Sequence, residues 1–511
     1  MTCLPGPVFL LNMVLWAKAF GGSGGESAFS SALISNGKIL IAGSTTSFGL
    51  NYPDFLLIML QPDGSVSWAK TYAGSMYDYP YSVIPNPYSG GFTIAGCMNF
   101  RGRGYDDICV MDLLPDGSVN WERVFWGSDH DVARAVVRSA DGGFLIGGMT
   151  RNFLARSYDL VILKLSSDAQ LLWSRILRGI GFSDDRIYSL IPTSDSGVIA
   201  VGWGSNGAVG GYDIIVLKIA QNGSMVWGKY IGTPGFDYGW SGVKTDDGGL
   251  MLLASTDGSG AGGTDILILK LSPDGSPEWA KTIGGPANDY GWSMIRTNDS
   301  GYAIIGQTES FGAGGADLFL LKLGPDLSLA WASTYGTSRR DVGSSLVQLP
   351  DESLVLFATT DIGNYNHDYL VMRVEPSGGY PGCLSPCTPT TSYASLGVSP
   401  ISPDSLQSFT PNVLDTLPAV TDQNPSVTNV CEPVYEEINE TQSDPGIPMV
   451  CLSLSGGILI RSYLETDISI YSSDGRLSYS GNLKKGESRI SLGKGVYFWR
   501  AGVYRGKAVV W

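Results

Sequence analysis

The chain has 511 residues and a formal net charge of −15, from 33 basic against 48 acidic side chains, which argues against nucleic acid as a partner. It is longer than one ordinary domain needs, and no apolar run reaches the ~20 residues that a membrane-crossing helix requires, so no such helix is expected. Seven cysteines, an odd number, leave at least one thiol unpaired or bonded to another chain.

Residues 1–16, MTCLPGPVFLLNMVLW, have the apolar character of a signal-peptide core, and Ala17-Lys18-Ala19 mimics a cleavage site, but no basic segment precedes them. Cleavage there would remove a strand that the repeats require. The expectation is a sequence that begins downstream of its true signal peptide.

From there to residue 375 one unit recurs. Trp16, Trp68, Trp121, Trp173, Trp227, Trp279 and Trp331 stand 52, 53, 52, 54, 52 and 52 residues apart. An aspartate precedes each of the last six by 14 residues, at Asp54, Asp107, Asp159, Asp213, Asp265 and Asp317, and Asp368 opens a seventh copy. A repeat of that length is a supersecondary unit. After each aspartate comes a β-branched, apolar run such as ILILKL or IIVLKI, which reads as a buried strand. The PDG of Pro62–Gly64, Pro115–Gly117 and Pro273–Gly275 then reverses the chain into the tryptophan strand. A glycine-rich loop leads to a third strand, a DGG or DSG turn, and a fourth strand of the GFTIAG type. Written as blades, the strands are a and b joined at DGG, b and c joined by a glycine loop, and c and d joined at PDG. Four-stranded blades repeated radially make a β-propeller.

Strand a starts near Ser27, Tyr79, Val132, Arg186, Tyr238, Tyr290 and Val342, and strand c also occurs seven times, but only six tryptophan strands follow a strand c. The Trp16 strand is the missing seventh. The prediction is that Leu11–Phe20 pairs with Asp368–Val374 and closes a seven-bladed ring over residues 8–375, which removes exposed edges. The repeated tryptophans read as core. Cys97 and Cys109, on strands b and c of the second blade, read as a free buried pair, although their symmetric placement about the loop would let them face each other.

Residues 376–448 hold 12 of the 27 prolines, with much Ser and Thr, and read as an extended linker to which short strands can be added. Cys383, Cys387, Cys431 and Cys451 follow the propeller, where disulfides would suit an exported protein. Residues 449–511 return to alternating patterns and predict a small Ig-like β-sandwich, making the chain all-β.

Strands a and c begin at the same face, so the aspartates before strand c share it with Glu26, Asp78, Asp131, Asp185, Asp237, Asp289 and Asp341 before strand a. Fourteen carboxylates are therefore expected around one mouth. Charges roughly 10 Å apart repel in water by only ~0.4 kcal/mol, so the ring permits cations without demanding them. The simpler role is structural, each Asp accepting backbone N–H bonds that tie its loop. Asp54, Asp107, Asp159, Asp213, Asp265, Asp317 and Asp368 are nonetheless the candidate ligand or cation residues. GAGGTDILI at 260–268 and GAGGADLFL at 312–320 approximate a calcium-binding nonapeptide, but that motif stacks every nine residues and these recur every ~52. No cofactor is implied, and calcium is the one cation the loops admit. The two histidines, His130 and His367, read as surface polar residues, and Gly21-Gly22-Ser23-Gly24-Gly25 lacks the strand-to-helix elbow of a nucleophile motif.

Two resemblances extend this reading. DISIYSSDGRL at 467–477, GKGVYFWRAG at 493–502 and the terminal GKAVVW are similar to the C-terminal sorting domain of the bacterial type IX secretion system. That family implies an Ig-like domain that carries its cargo across the outer membrane. Its sorting signal would lie at Gly493, Lys494, Gly495, Val496, Tyr497 and Phe498, with the secretion machinery as a partner. The repeats resemble those of bacterial exported propellers, a likeness that implies fold and surface location but no activity. The expected function is a secreted or outer-membrane cell-surface module that binds a surface glycan or protein and is more plausibly not an enzyme. The alternative is an extracellular polysaccharide hydrolase or lyase using carboxylates of the acidic face. The loop Asn99–Tyr105, with Arg101 and Arg103, and GNYNHDY at 363–369 are where the repeat departs from symmetry.

Overall fold

The computed structural model describes residues 15–379 apart from short stretches at 35–36, 50–51, 100–104, 128, 152–156, 178–183, 206–208 and 362–366, and beyond residue 380 the strands alone. Arg101, Arg103, Cys383, Cys387, Cys431, Gly493, Lys494 and residues 11–14 therefore lie outside the described residues. No α-helix occurs among the described residues, and so none is long and apolar enough to cross a membrane.

Blade I consists of Glu26–Leu33, Ile39–Thr45, Asp54–Leu60 and Val66–Ala73, strands a to d in order. Blades II to VI repeat it, with strands a at Tyr79–Pro85, Asp131–Arg138, Asp185–Pro192, Asp237–Lys244 and Asp289–Arg296. Blade VII has Asp341–Gln348, Leu354–Thr360 and Asp368–Val374, and takes its strand d from the N-terminal Trp16–Gly21. Trp16 stands opposite Arg373 and Phe20 opposite Tyr369, so the predicted closure forms among the described residues. Each strand a packs beside the next, and that of blade VII beside that of blade I, so the seven blades close a ring.

Strands b and c are buried along nearly their whole length because neighbouring blades cover both faces. This is why they read as continuous apolar runs instead of alternating ones. The core lies between blades: Leu57 and Met59 of blade I pack with Phe92, Ile94 and Met111 of blade II.

The tryptophans differ from the expected core role. Only Trp16 is fully buried. The others are half-buried, each lying over the c–d turn of the following blade. The indole Nε1 of Trp16, Trp68 and Trp173 donates to the carbonyls of Pro62, Pro115 and Gln221 at 3.2, 3.2 and 2.8 Å. Each such turn carries one residue at positive φ, glycine in five blades but Ala169 (62°) in blade III and Leu327 (63°) in blade VI. A Cβ on Gly64 would lie 2.7 Å from the Trp16 ring and one on Gly275 2.7 Å from Trp227, so the glycines also admit the indole.

Cys97 is free and pairs across the ladder with Ile108, whereas Cys109, also free, pairs with Gly96. Adjacent positions point to opposite faces of a strand, so the two thiols cannot face each other. The symmetry argument missed this by one residue of register.

The Pro-, Ser- and Thr-rich segment adds a fifth strand to every blade. Leu384–Pro386 pairs with strand d of blade VI, Thr390–Tyr393 with blade V, Gly397–Pro400 with IV, Leu406–Ser408 with III, Asn412–Leu414 with II, and Ala419–Gln423 with I. Ser426–Asn429 finally pairs with the N-terminal strand in blade VII. The segment thus runs once around the ring against chain order, as a belt on the outer edges. It belongs with the propeller to one compact unit ending at Pro433.

Residues 434–511 form a second unit. It holds a sheet of Met449–Leu454, Gly457–Ser462 and Gly486–Ser491, and another of Leu477–Leu483, Thr466–Ser472, Gly495–Ala501 and Tyr504–Val510 in spatial order.

Candidate functional site

The carboxylates expected at one mouth lie beneath its loops. Asp54, Asp107, Asp159, Asp213, Asp265 and Asp317 are 0–5% exposed, and Asp368 is half-buried. Five of them are drawn against the strand-a acid of the next blade. Asp54 hydrogen-bonds Asp78 and Asp368 hydrogen-bonds Glu26, while Asp213, Asp265 and Asp317 feel the charges of Asp237, Asp289 and Asp341. The strand-a acids accept loop N–H groups four residues upstream: Gly22 to Glu26 at 3.0 Å, Gly74 to Asp78 at 2.6 Å, Thr233 to Asp237 at 2.7 Å, Gly285 to Asp289 at 2.7 Å and Thr337 to Asp341 at 2.7 Å. The strand-c aspartates do likewise where glycine loops precede them, from Ala261 to Asp265 at 2.7 Å and Ala313 to Asp317 at 2.9 Å.

Burial is the main force on their protons. It raises Asp78 to about 8 and Asp131, Asp213, Asp317 and Asp368 to about 6. Among the described residues no three His, Cys, Asp or Glu side chains converge as a metal ion would need. His130 Nδ1 lies 3.1 Å from Asp106 and His367 Nδ1 bonds Asp361, each in the loops of that face.

The surface that opens beside these loops is built by different residues. A β-bulge interrupts the a–b pairing of every blade at the same place, between Ala28 and Ser30, Pro80 and Ser82, Ala133 and Ala135, Ile187 and Ser189, Gly239 and Ser241, Gly291 and Ser293, and Gly343 and Ser345. The extra residue is left out of the ladder and re-aimed. In chain order the seven are Phe29, Tyr81, Arg134, Tyr188, Trp240, Trp292 and Ser344, all half-buried, and all line one central opening of about 400 Å³. Arg340, His367 and Thr359 complete its rim on the side of blade VII.

The bulge residues touch around the ring. Phe29 and Tyr81 lie 5.1 Å apart between centroids, Tyr188 and Trp240 4.8 Å, and Trp240 and Trp292 4.8 Å with planes at 65°. The Arg134 guanidinium fills the break between the two tyrosines, 3.7 Å from the Tyr81 centroid and 5.4 Å from that of Tyr188. Two residues earlier on the same strands, Tyr79, Tyr238 and Tyr290 stack on Tyr81, Trp240 and Trp292 at 5.9, 5.8 and 5.5 Å. Trp240 Nε1 donates to Ser255 Oγ at 3.0 Å, whereas the buried Nε1 of Trp292 and Nε of Arg134 have no acceptor among the described residues.

Sequence reasoning placed the candidate residues among the carboxylates and missed this ring. The signal was present as YPY, RIY, YGW and YGW at the start of strands a, where the repeat varies most. Without the bulge, nothing marks the third residue after the acid as the one turned to the axis.

Residues 34–66 match the model of a domain of unknown function described as the DUF5122 β-propeller. No curated protein matches the chain. Among solved structures the chain is similar to Sqt1 of Chaetomium thermophilum bound to the N-terminus of ribosomal protein L10, with 11% identity, 66% of this chain and 84% of that one covered, and a TM-score of 0.39. It is also similar to PorZ, a surface component of the type IX secretion system of Porphyromonas gingivalis, with 10% identity, 94% and 81% covered, and a TM-score of 0.30. The polysaccharide lyase Uly1 is similar at 10% identity over 69% of this chain and 90% of that one, with a TM-score of 0.43. The described residues are all-β, and the strands between Trp16 and Val374 build a seven-bladed β-propeller.

Proposed function

We propose that this is an exported binding module displayed at the cell surface, which takes a glycan at the central opening of the propeller. The observation that carries the binding reading is the ring of bulge residues: five aromatic faces and one arginine at seven equivalent places, half-exposed around one cavity. Cavities of a few hundred Å³ lined by aromatic groups with a few polar ones are the usual form of small-ligand sites. Flat aromatic faces suit the apolar faces of sugar rings. A hydrolase or lyase would have drawn on the acidic-face carboxylates, which are buried beneath the loops, with Asp78 and Asp265 accepting backbone N–H groups there.

Export and display are supported by the sorting-domain resemblance of 467–511 and by the two small sheets that residues 449–510 form. Glycan-array binding of the full chain, repeated with Trp240→Ala/Trp292→Ala, tests the binding reading: loss of most signal with an unchanged melt supports it, and an unchanged array pattern sinks it. Expression behind an added signal peptide in a bacterium possessing a type IX system, with and without residues 449–511, tests the route. The truncated form should stay in the periplasm.

A further inference from the structure

Building on the reading of the opening as a glycan site, we infer that its ligand is anionic: a sugar bearing a carboxylate or sulfate, its ring against Trp240 and Trp292 and its charge held by Arg134, with Arg340 at the rim. The chain carries 15 more acidic than basic side chains, yet among the described residues no Asp or Glu lines this opening, and Arg134, Arg340 and His367 do. The buried lysines of the blades are neutralised: Lys164 by Asp141 at 2.8 Å, Lys270 by Asp247 at 2.7 Å, and Lys322 by Asp299 at 2.8 Å. Arg134 has no carboxylate within ion-pairing distance among the described residues. It lies between the rings of Tyr81 and Tyr188, and its Nε is buried without an acceptor among the described residues.

A planar guanidinium held by aromatic faces is pre-organised for bidentate bonds to a carboxylate or sulfate. A neutral hydroxyl can also accept from this guanidinium, but a charge-assisted bond to an anion is roughly twice as strong. Trp240 and Trp292, at 65° to each other, form a corner for the ring that bears the anion. An acidic peptide fits less well. Its main chain would need a regular strand edge, and a bulge distorts strand a in every blade.

Isothermal titration of the full chain with a tetragalacturonate, a sulfated galactan tetrasaccharide, the neutral galactan tetrasaccharide and triglutamate decides it. At least one anionic sugar should bind tenfold or more tightly than the neutral one, and added salt should weaken it. Arg134→Gln should abolish that preference with an unchanged melting temperature, and Arg134→Lys should restore part of it. Whichever anionic sugar wins identifies the group as carboxylate or sulfate. Equal binding of neutral and anionic sugars, or an anionic preference that survives Arg134→Gln, overturns the anionic assignment while the glycan reading stands. If no sugar binds, or triglutamate binds best, both fall.

Discussion

Asp78 shows what a carboxyl does when set between two blades: one oxygen takes the Gly74 N–H, the other the Asn99 N–H at 2.8 Å, and Asp54 presses a second carboxyl against it. Burial makes the protonated form the one the fold prefers, with Asp78 raised to about 8 and four equivalents to about 6. A pKa higher in the folded than in the unfolded chain means that the folded state holds protons the unfolded state releases. Its stabilisation is complete below about pH 4, the ordinary carboxyl range, and is lost as pH rises through about 6 and then about 8. The melting temperature should therefore fall from pH 5 to pH 9 by calorimetry, and Asp78→Asn should flatten the upper part of that fall; a melt that rises over this range would refute the assignment. Because both Asp78 oxygens already accept backbone N–H groups, and no third carboxylate, His or Cys joins an acid pair among the described residues, a chelator should leave the melt unchanged at neutral pH. A drop of many degrees, reversed by calcium, would instead make the carboxylate pairs metal sites. Among the turn residues, Ala169 adopts φ 62° where five other blades use glycine. Ala169→Gly should gain up to ~1 kcal/mol in denaturant unfolding, and a loss of that size would show that the Ala169 methyl packs better than its backbone is strained.

Strand d and its tryptophan act between blades. The Trp173 indole bonds Gln221 of blade IV while Gly223, at φ 80°, lies beneath the ring. Trp173→Phe keeps a ring over the turn and removes the donor, and should cost roughly 1 kcal/mol; a cost of several would mean that the indole's bulk is what holds the seam. The strands themselves were readable from the sequence, since a run such as Asp265–Leu271 is apolar on both faces only where both faces are covered. The closing strand was readable too, because counting strands c against tryptophan strands left one unpaired. The bulge in strand a was not. It inserts a residue without changing composition, and its position follows from how adjacent blades converge on the axis, which no single repeat contains. The residues it turns inward, Tyr188, Trp240 and Trp292 among them, were therefore passed over in favour of the conspicuous aspartates.

In the molecule as a whole, ring closure leaves seven outer edges, and the belt covers them in reverse order until Ser426–Asn429 lies on the N-terminal strand that closes blade VII. Strands of three to five residues, two of them ending in proline, have little preference of their own and form because an edge is waiting. That dependence is why the composition read as a linker. A chain ended after Gly379 should bare these edges and associate or aggregate in light scattering, whereas one ended after Pro433 should remain monomeric. Monomeric behaviour of both would show that the belt guards nothing. The blades differ little in their cores and most at the bulge, so the account places function where symmetry breaks, on the axis. A crystal structure of the full chain soaked with the tightest-binding acidic oligosaccharide tests this most directly. A sugar ring between Trp240 and Trp292 with its anion on Arg134 is the predicted result, and a sugar bound only on the outer loops, away from the seven bulge residues, would contradict it.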